Sequence, residues 1–257
     1  MSNSQQPWKD YLINTILDAT KYTGNTEPDV KIFSASMLGN DPLMNFLKLK
    51  YGSQSSKTFG ANTLGSITHL GFEQAFQNQS QCETELSLSH TLDNNWIVSG
   101  TIDLVLNHYQ MIVDWKVTTT TAIKKVRSEG RDSAYALQLG VYKWLIHKSK
   151  SLKYDTALAM VDKNFSYFKD TGFNQLELLK IPTYPIDEIE QMLYDKTNEL
   201  DEYIKTDSTP PQCTNLFFFK PKGATRAQKY RCIHYCDNNI NCPYYSDHSA
   251  MNSLLDL

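Results

Sequence analysis

Ten residues from Ile97 to Leu106 form a strand-like run in which Asp103 is the single ionisable member. Asn107-His108-Tyr109-Gln110 follows as a loop-sized gap, and then Met111-Ile112-Val113-Asp114-Trp115-Lys116-Val117 resumes the apolar pattern. Two such runs around a short polar gap predict a hairpin of neighbouring strands. Burying a carboxylate in strands this apolar is costly unless it is compensated. Asp114 and Lys116 are two apart, so strand alternation sends both side chains to one sheet face. If Asp103 shares that face, two carboxylates and an ammonium converge. Close carboxylates repel unless a divalent cation lies between them, and hard oxygen ligands suit Mg²⁺ or Mn²⁺. A bound cation of that kind lowers the pKa of a water and neutralises charge on a phosphate. Lys116 would orient the water and support the pentavalent transition state. Taken alone, Asp-x-Lys also reads as a charge pair on an exposed hairpin face.

The rest of the chain supplies helices and further strands around this hairpin. A short amphipathic helix is expected near Trp8 to Tyr22, and a second from Ser36 through Tyr51, interrupted near Gly39 to Pro42. Asn62 to Gln77 predicts another helix, with His69 and Glu73 four apart on one face. The alternation from Glu85 to Ser89 predicts a strand. Asp132 or Ser133 is placed to cap a helix through His147. Thr156 to Asp162 and Gln175 to Ile181 predict two more strands, and Pro185 opens a long helix through Ile204. The acids on that last helix (Asp187, Glu188, Glu190, Asp195, Glu199, Asp201 and Glu202) predict a solvated face. The order of elements predicts an α/β fold, a mixed central sheet flanked by helices. Residues 1–61 are expected to be an N-terminal helical region packing on the core, 62–209 the core itself, and 210–257 a cysteine-rich C-terminal segment.

With 257 residues, 40% of them hydrophobic, the chain can bury a sizeable core. A net charge of −3 excludes a uniformly basic nucleic-acid coat but leaves room for a local basic groove. No apolar run reaches the length of a membrane span, and the start MSNSQQPWKDYL lacks a leader pattern. The expectation is a cytoplasmic protein of a bacterial or virus-infected cell, with no membrane partner.

Three motifs then occur in order: Gly100-Thr101-Ile102-Asp103, then Ile112-Val113-Asp114-Trp115-Lys116, then Gln138-Leu139-Gly140-Val141-Tyr142. Together they resemble the RecB-type branch of the PD-(D/E)XK nucleases, over roughly Asn62 to Tyr245. The resemblance implies a restriction-endonuclease-like sheet and a metal-dependent DNA nuclease, most simply an exonuclease in recombination, repair or viral DNA processing. It implies Asp103, Asp114 and His69 as metal ligands, Lys116 as the catalytic lysine, and Gln138 and Tyr142 facing the site to contact DNA or position Lys116. Read without the family, His69 is a structural histidine and Gln138 and Tyr142 are surface residues of an amphipathic helix. Glu73 is a weaker candidate for supporting the ligands. Nothing in the chain resembles a helicase, so a helicase or single-strand-annealing partner would be a separate protein. The reading from a different class is a non-catalytic nucleic-acid-binding or structural protein on the same fold.

The tail carries Cys213, Cys232, Cys236 and Cys242, whereas Cys82 stands apart and is expected to be a buried thiol. Clustered thiolates suit either a [4Fe–4S] cluster or tetrahedral Zn²⁺, with His234 able to replace one cysteine on zinc. The Cys236-to-Cys242 spacing and the following Pro243 resemble the end of iron–sulfur nucleases in this branch, of the helicase-associated AddB type and the CRISPR-associated four-cysteine type. Those relatives draw a fourth cysteine from upstream of the nuclease core. This sequence departs from that plan: the region of Asp41-Pro42 has no cysteine, and the first tail spacing is three residues, not two. The expectation is that Cys213 supplies the fourth ligand, the alternative being a tail without metal. Lys220, Lys222, Arg226, Lys229 and Arg231 are interleaved with Phe217, Phe218, Phe219 and Tyr230, a pattern suited either to a single-strand path or to a solvated loop. A second basic group, Lys124, Lys125, Arg127 and Arg131, follows the Asp114 strand and could guide DNA at a rim.

Overall fold

The computed structural model describes residues 31–52, 59–164, 175–214, 218–219, 228–229, 236 and 238–245. The helix expected near Trp8 to Tyr22 lies outside them, as do Cys232, His234, Lys220, Lys222, Arg226 and Arg231. The elements in chain order are β1 (Ile32–Ser34), α1 (Pro42–Tyr51), α2 (Phe59–Phe76), β2 (Cys82–Thr91), β3 (Ile97–Leu106), β4 (Met111–Thr118), α3 (Thr120–Glu129), α4 (Ala134–Lys150), β5 (Asp155–Asp162), β6 (Leu176–Lys180), α5 (Ile186–Lys205), and the small pair β7 (Phe218–Phe219) and β8 (Gln228–Lys229). Among the described residues, six strands form one mixed sheet in the order β1-β3-β4-β5-β6, with β2 also paired to β3.

The way β3 divides its partners positions everything else. Along one edge it pairs antiparallel with β2 for its whole length. Its other edge is shared: β1 runs parallel to Ile97–Ser99, and β4 runs antiparallel to Leu104–Leu106. Among the described residues, Gly100 to Asp103 therefore have no strand partner on that side. Beyond Val113, β4 leaves β3 and continues alongside β5 in parallel register as far as Thr118. The sheet thus opens between β3 and β4 at the level of Asp103 and Asp114.

Helices cover both faces, as expected. The larger core joins Val98, Ile102, Ile112, Leu158 and Met160 of the sheet to Leu43 and Phe46 of α1, Leu139, Trp144 and Leu145 of α4, and Ile189 and Leu193 of α5. On the opposite face a smaller cluster packs Leu104, Val113, Trp115 and Ala159 against Phe72 and Phe76 of α2. The Trp115 ring lies nearly parallel to Phe72, with centroids 4.1 Å apart. Burying stacked aromatics of this size fixes α2 across β4.

Several expectations are refined. Ser133, not Asp132, caps α4, accepting from the Ala136 amide at 3.2 Å. The segment after β4 is a helix, α3, whose N-cap Thr119 accepts from the Ala122 amide. The acidic face of α5 is not wholly solvated. Asp201 is 8% exposed, accepting from Lys31 Nζ at 2.6 Å and from Trp96 Nε1 at 3.1 Å. Buried carboxylates require such partners. Cys82 is half-buried rather than buried, at the edge of the Trp115 cluster. The C-terminal segment is fastened to both ends of α1: Thr214 Oγ1 donates to Asp41 Oδ1 at 3.1 Å, and Asn238 Nδ2 donates to the Gly52 carbonyl at 3.1 Å. Cys213 and Cys242 pack against the larger core from that segment.

Candidate active site

Strict alternation fails in β3 where the chemistry sits. Ile102 and Val105, three residues apart, both belong to the larger core, while Leu104 packs on the other face. The partner strand breaks step at the same level. Cys82 packs with the smaller cluster, and Leu86 and Leu88 pack with the larger one. Between them Glu85 has φ +50°, in the left-handed region. Thr84 pairs with Leu104 and Leu86 with Ile102, so Glu85 and Asp103 occupy facing positions in a ladder that is interrupted there. Non-glycine residues at such φ are uncommon and cluster at functional sites.

Asp103, at this kink, reaches across the open edge. Its Oδ2 accepts from the Trp115 amide at 2.7 Å, taking the place of a backbone partner between the diverging strands. Its Oδ1 lies 3.7 Å from His69 Nδ1, brought over from α2. Asp114 is 1% exposed; its Oδ2 is 2.7 Å from Lys116 Nζ and its buried Oδ1 has no hydrogen-bond partner among the described residues. Lys116 Nζ also sits 5.5 Å from the centre of the Tyr135 ring. From α4, Gln138 Nε2 donates to the Tyr142 hydroxyl at 2.6 Å. Tyr142 is only 4% exposed, and burial with the Asp114 charge raises its hydroxyl. The Gly-x-x-Asp spacing has a steric origin. A Cβ at Gly100 would stand 2.7 Å from Tyr142 Cε1 and 3.1 Å from the Ala35 Cβ. Gly100→Ala should therefore lower stability by about 1–3 kcal/mol through overpacking and weaken any activity that needs Tyr142. Urea denaturation checks this, and a parent-like midpoint contradicts the contact.

The electrostatics follow from burial and crowding. Burial and the neighbouring Asp114 charge push the Asp103 carboxyl up to about 7, against the partial relief of Lys116 and the Trp115 amide. Burial and the Lys116 charge lower His69, which keeps its imidazole neutral and able to act as a ligand. Burial works against a charge on Lys116, but Asp114 and Asp103 outweigh it and hold the ammonium form. Burial, with Glu73 and Asp114, raises Glu85.

These residues fit a divalent cation. One ligand atom each from His69, Glu85 and Asp103 can be chosen so that all lie within 4.8 Å of one another. The orphaned oxygen of Asp114 is a second sign, since a buried carboxylate oxygen without a partner is rare and costly. Oxygen donors with one imidazole suit a hard divalent ion. Asp114 lies outside that trio and beside Lys116. Glu85 and Tyr135 were missed by sequence reasoning. Tyr135 could have been found, since Tyr135, Gln138 and Tyr142 recur at helical spacing. Glu85 offered no such signal, because its position depends on the kink.

The basic residues after β4 are partly committed elsewhere. Arg127 Nη2 bonds Glu177 at 2.8 Å and the Arg131 guanidinium lies 4.5 Å from the Tyr184 ring centre. Lys125 lies 3.5 Å from Glu129. Among the described residues, no helix is long and apolar enough to cross a membrane.

The structure is similar to that of a protein designated SSO0001, with a TM-score of 0.58, 14% identity, and coverage of 93% of this chain and 97% of the other. That likeness supports the fold. Weaker similarity extends to a proposed exonuclease from Eubacterium rectale (TM-score 0.40, 13% identity, 80% and 81% covered). It extends also to a phage-related exonuclease from Haemophilus somnus (TM-score 0.32, 15% identity, 70% and 97% covered). No curated protein is a significant match. The sequence profile of the PD-(D/E)XK nuclease superfamily matches residues 61–243, a span that takes in His69, Asp103, Asp114, Lys116, Gln138 and Tyr142, and the chain belongs to that superfamily.

Proposed function

We propose that this nuclease is a divalent-metal-dependent deoxyribonuclease of the RecB-type branch, an exonuclease serving DNA recombination, repair or viral DNA processing. The observation that carries the reading is the meeting of Asp103, Asp114 and Lys116 where β3 and β4 part, with His69 against Asp103. His69, Asp103 and Asp114 would hold Mg²⁺ or Mn²⁺, which when bound would acidify a water and offset charge on the scissile phosphate. Lys116, 2.7 Å from Asp114, would orient the attacking water and stabilise charge on the phosphate. Gln138 and Tyr142, bonded to each other on α4, would contact DNA or position Lys116. The Tyr135 ring lies 5.5 Å from Lys116 Nζ and would help hold it in place.

The tail belongs to the same proposal. Cys213, Cys232, Cys236 and Cys242 would bind one [4Fe–4S] cluster or one Zn²⁺ that fastens the C-terminal segment to α1 and the core. Lys220, Lys222, Arg226, Lys229 and Arg231 would track a DNA backbone, and any helicase or annealing activity would come from a separate partner protein.

Purified protein incubated with linear and with covalently closed circular DNA in Mn²⁺ tests the reading. Digestion of the linear form alone is expected. Digestion of closed circles makes the enzyme an endonuclease, and no digestion of either form in metal-loaded protein returns the chain to a binding role. Anaerobic purification followed by absorption spectroscopy and metal analysis separates a brown iron–sulfur protein from a colourless zinc protein.

A further inference from the structure

We infer that Glu85 is a protein ligand of the cation site, delivered to His69 and Asp103 by the kink in β2. The inference rests on the divalent-cation reading above and adds a residue that lies outside all three sequence motifs.

Three observations meet at Glu85. It stands opposite Asp103 in a ladder whose register is otherwise unbroken from Cys82 to Thr91, and this is the position at which pairing lapses. Facing carboxylates repel, so the arrangement is unfavourable until a cation lies between them. Glu85 is more exposed than buried and adopts φ +50°, so neither core packing nor backbone preference accounts for a glutamate here. A carboxylate oxygen of Glu85, an imidazole nitrogen of His69 and a carboxylate oxygen of Asp103 already lie within 4.8 Å of one another, from three different elements. Among the described residues, the buried Oδ1 of Asp114 in the adjoining strand has no hydrogen-bond partner, an independent sign of a ligand atom left unsatisfied. Two carboxylates and one imidazole make a hard donor set of the kind that takes Mn²⁺ or Mg²⁺.

The test is Mn²⁺ binding by calorimetry, with electron paramagnetic resonance of the bound ion as a second readout. The proteins are the full-length parent, Glu85→Gln and Glu85→Gly. Glutamine keeps the length and removes the charge. Glycine adopts the left-handed backbone freely, so it removes the carboxylate while relieving the strand. Both variants should bind Mn²⁺ at least about tenfold more weakly, and the metal-free melting temperature of Glu85→Gly should equal or exceed that of the parent. A parent that binds Mn²⁺ while both variants bind it equally tightly overturns the Glu85 assignment and leaves the rest of the site standing. A parent that binds no Mn²⁺ overturns the cation reading itself and Glu85 with it.

Discussion

Asp103→Asn is expected to melt at a higher temperature than the parent at pH 8 in a chelator, and to lose cleavage. Folding raises the Asp103 carboxyl to about 7, from burial first and from the Asp114 charge second. Between the ordinary aspartate value near 4 and about 7, the folded chain holds a proton that the unfolded chain has released. Stability therefore falls as pH rises through that window, and the full cost is present above it. Asparagine carries no charge to bury, and its amide oxygen can still accept from the Trp115 amide. The gain over the parent should be about 1–3 kcal/mol at pH 8, or several degrees in melting temperature, and should vanish near pH 4. Saturating Mn²⁺ should reverse the order, because only the parent is stabilised by binding. Thermal melts at the two pH values, with and without Mn²⁺, check each part. Equal melting at pH 8 in chelator contradicts the crowding of Asp103 and Asp114.

Asp114→Asn is expected to lower DNA cleavage on the order of a thousandfold or more, as the loss of several kcal/mol of transition-state stabilisation implies. Two effects combine. The site loses the carboxylate whose Oδ1 has no other partner, and Lys116 loses the anion 2.7 Å from its Nζ. Mn²⁺ binding should weaken in the same variant. Lys116→Ala should differ, retaining Mn²⁺ affinity within a few fold because it leaves every proposed ligand in place. Calorimetry on the two variants side by side distinguishes a ligand from a group that acts on water and phosphate.

What could be read in the sequence tracks what local chemistry determines. The bounds of β3 were legible because an apolar run is cut by a four-residue polar gap. The long helix α5 was legible because its apolar residues recur at helical spacing behind Pro185. Three-residue β1 was not, since so short a segment has no period and is held by its pairing to Ile97–Ser99. The helix α3 was hidden by its threonines, which favour extended backbone until Thr119 caps the turn. Within the site, alternation predicted the Asp114–Lys116 pair, and 2.7 Å separates them. It did not predict how Asp103 joins them, because β3 changes face between Ile102 and Val105. At that kink the edge of β3 passes from β1 to β4, long-range pairings that local spacing does not reveal. Glu85 is invisible from sequence for the same reason.

The most direct measurement of the central claim is the rate of nucleotide release from linear duplex DNA in Mn²⁺ by the parent and by Lys116→Ala, at protein concentrations where both are folded and metal-loaded. The account predicts turnover by the parent, none in chelator, and a loss of at least about a thousandfold for Lys116→Ala. Lys116→Ala cutting at the parent rate would contradict the assignment of the β3–β4 cleft as the catalytic centre.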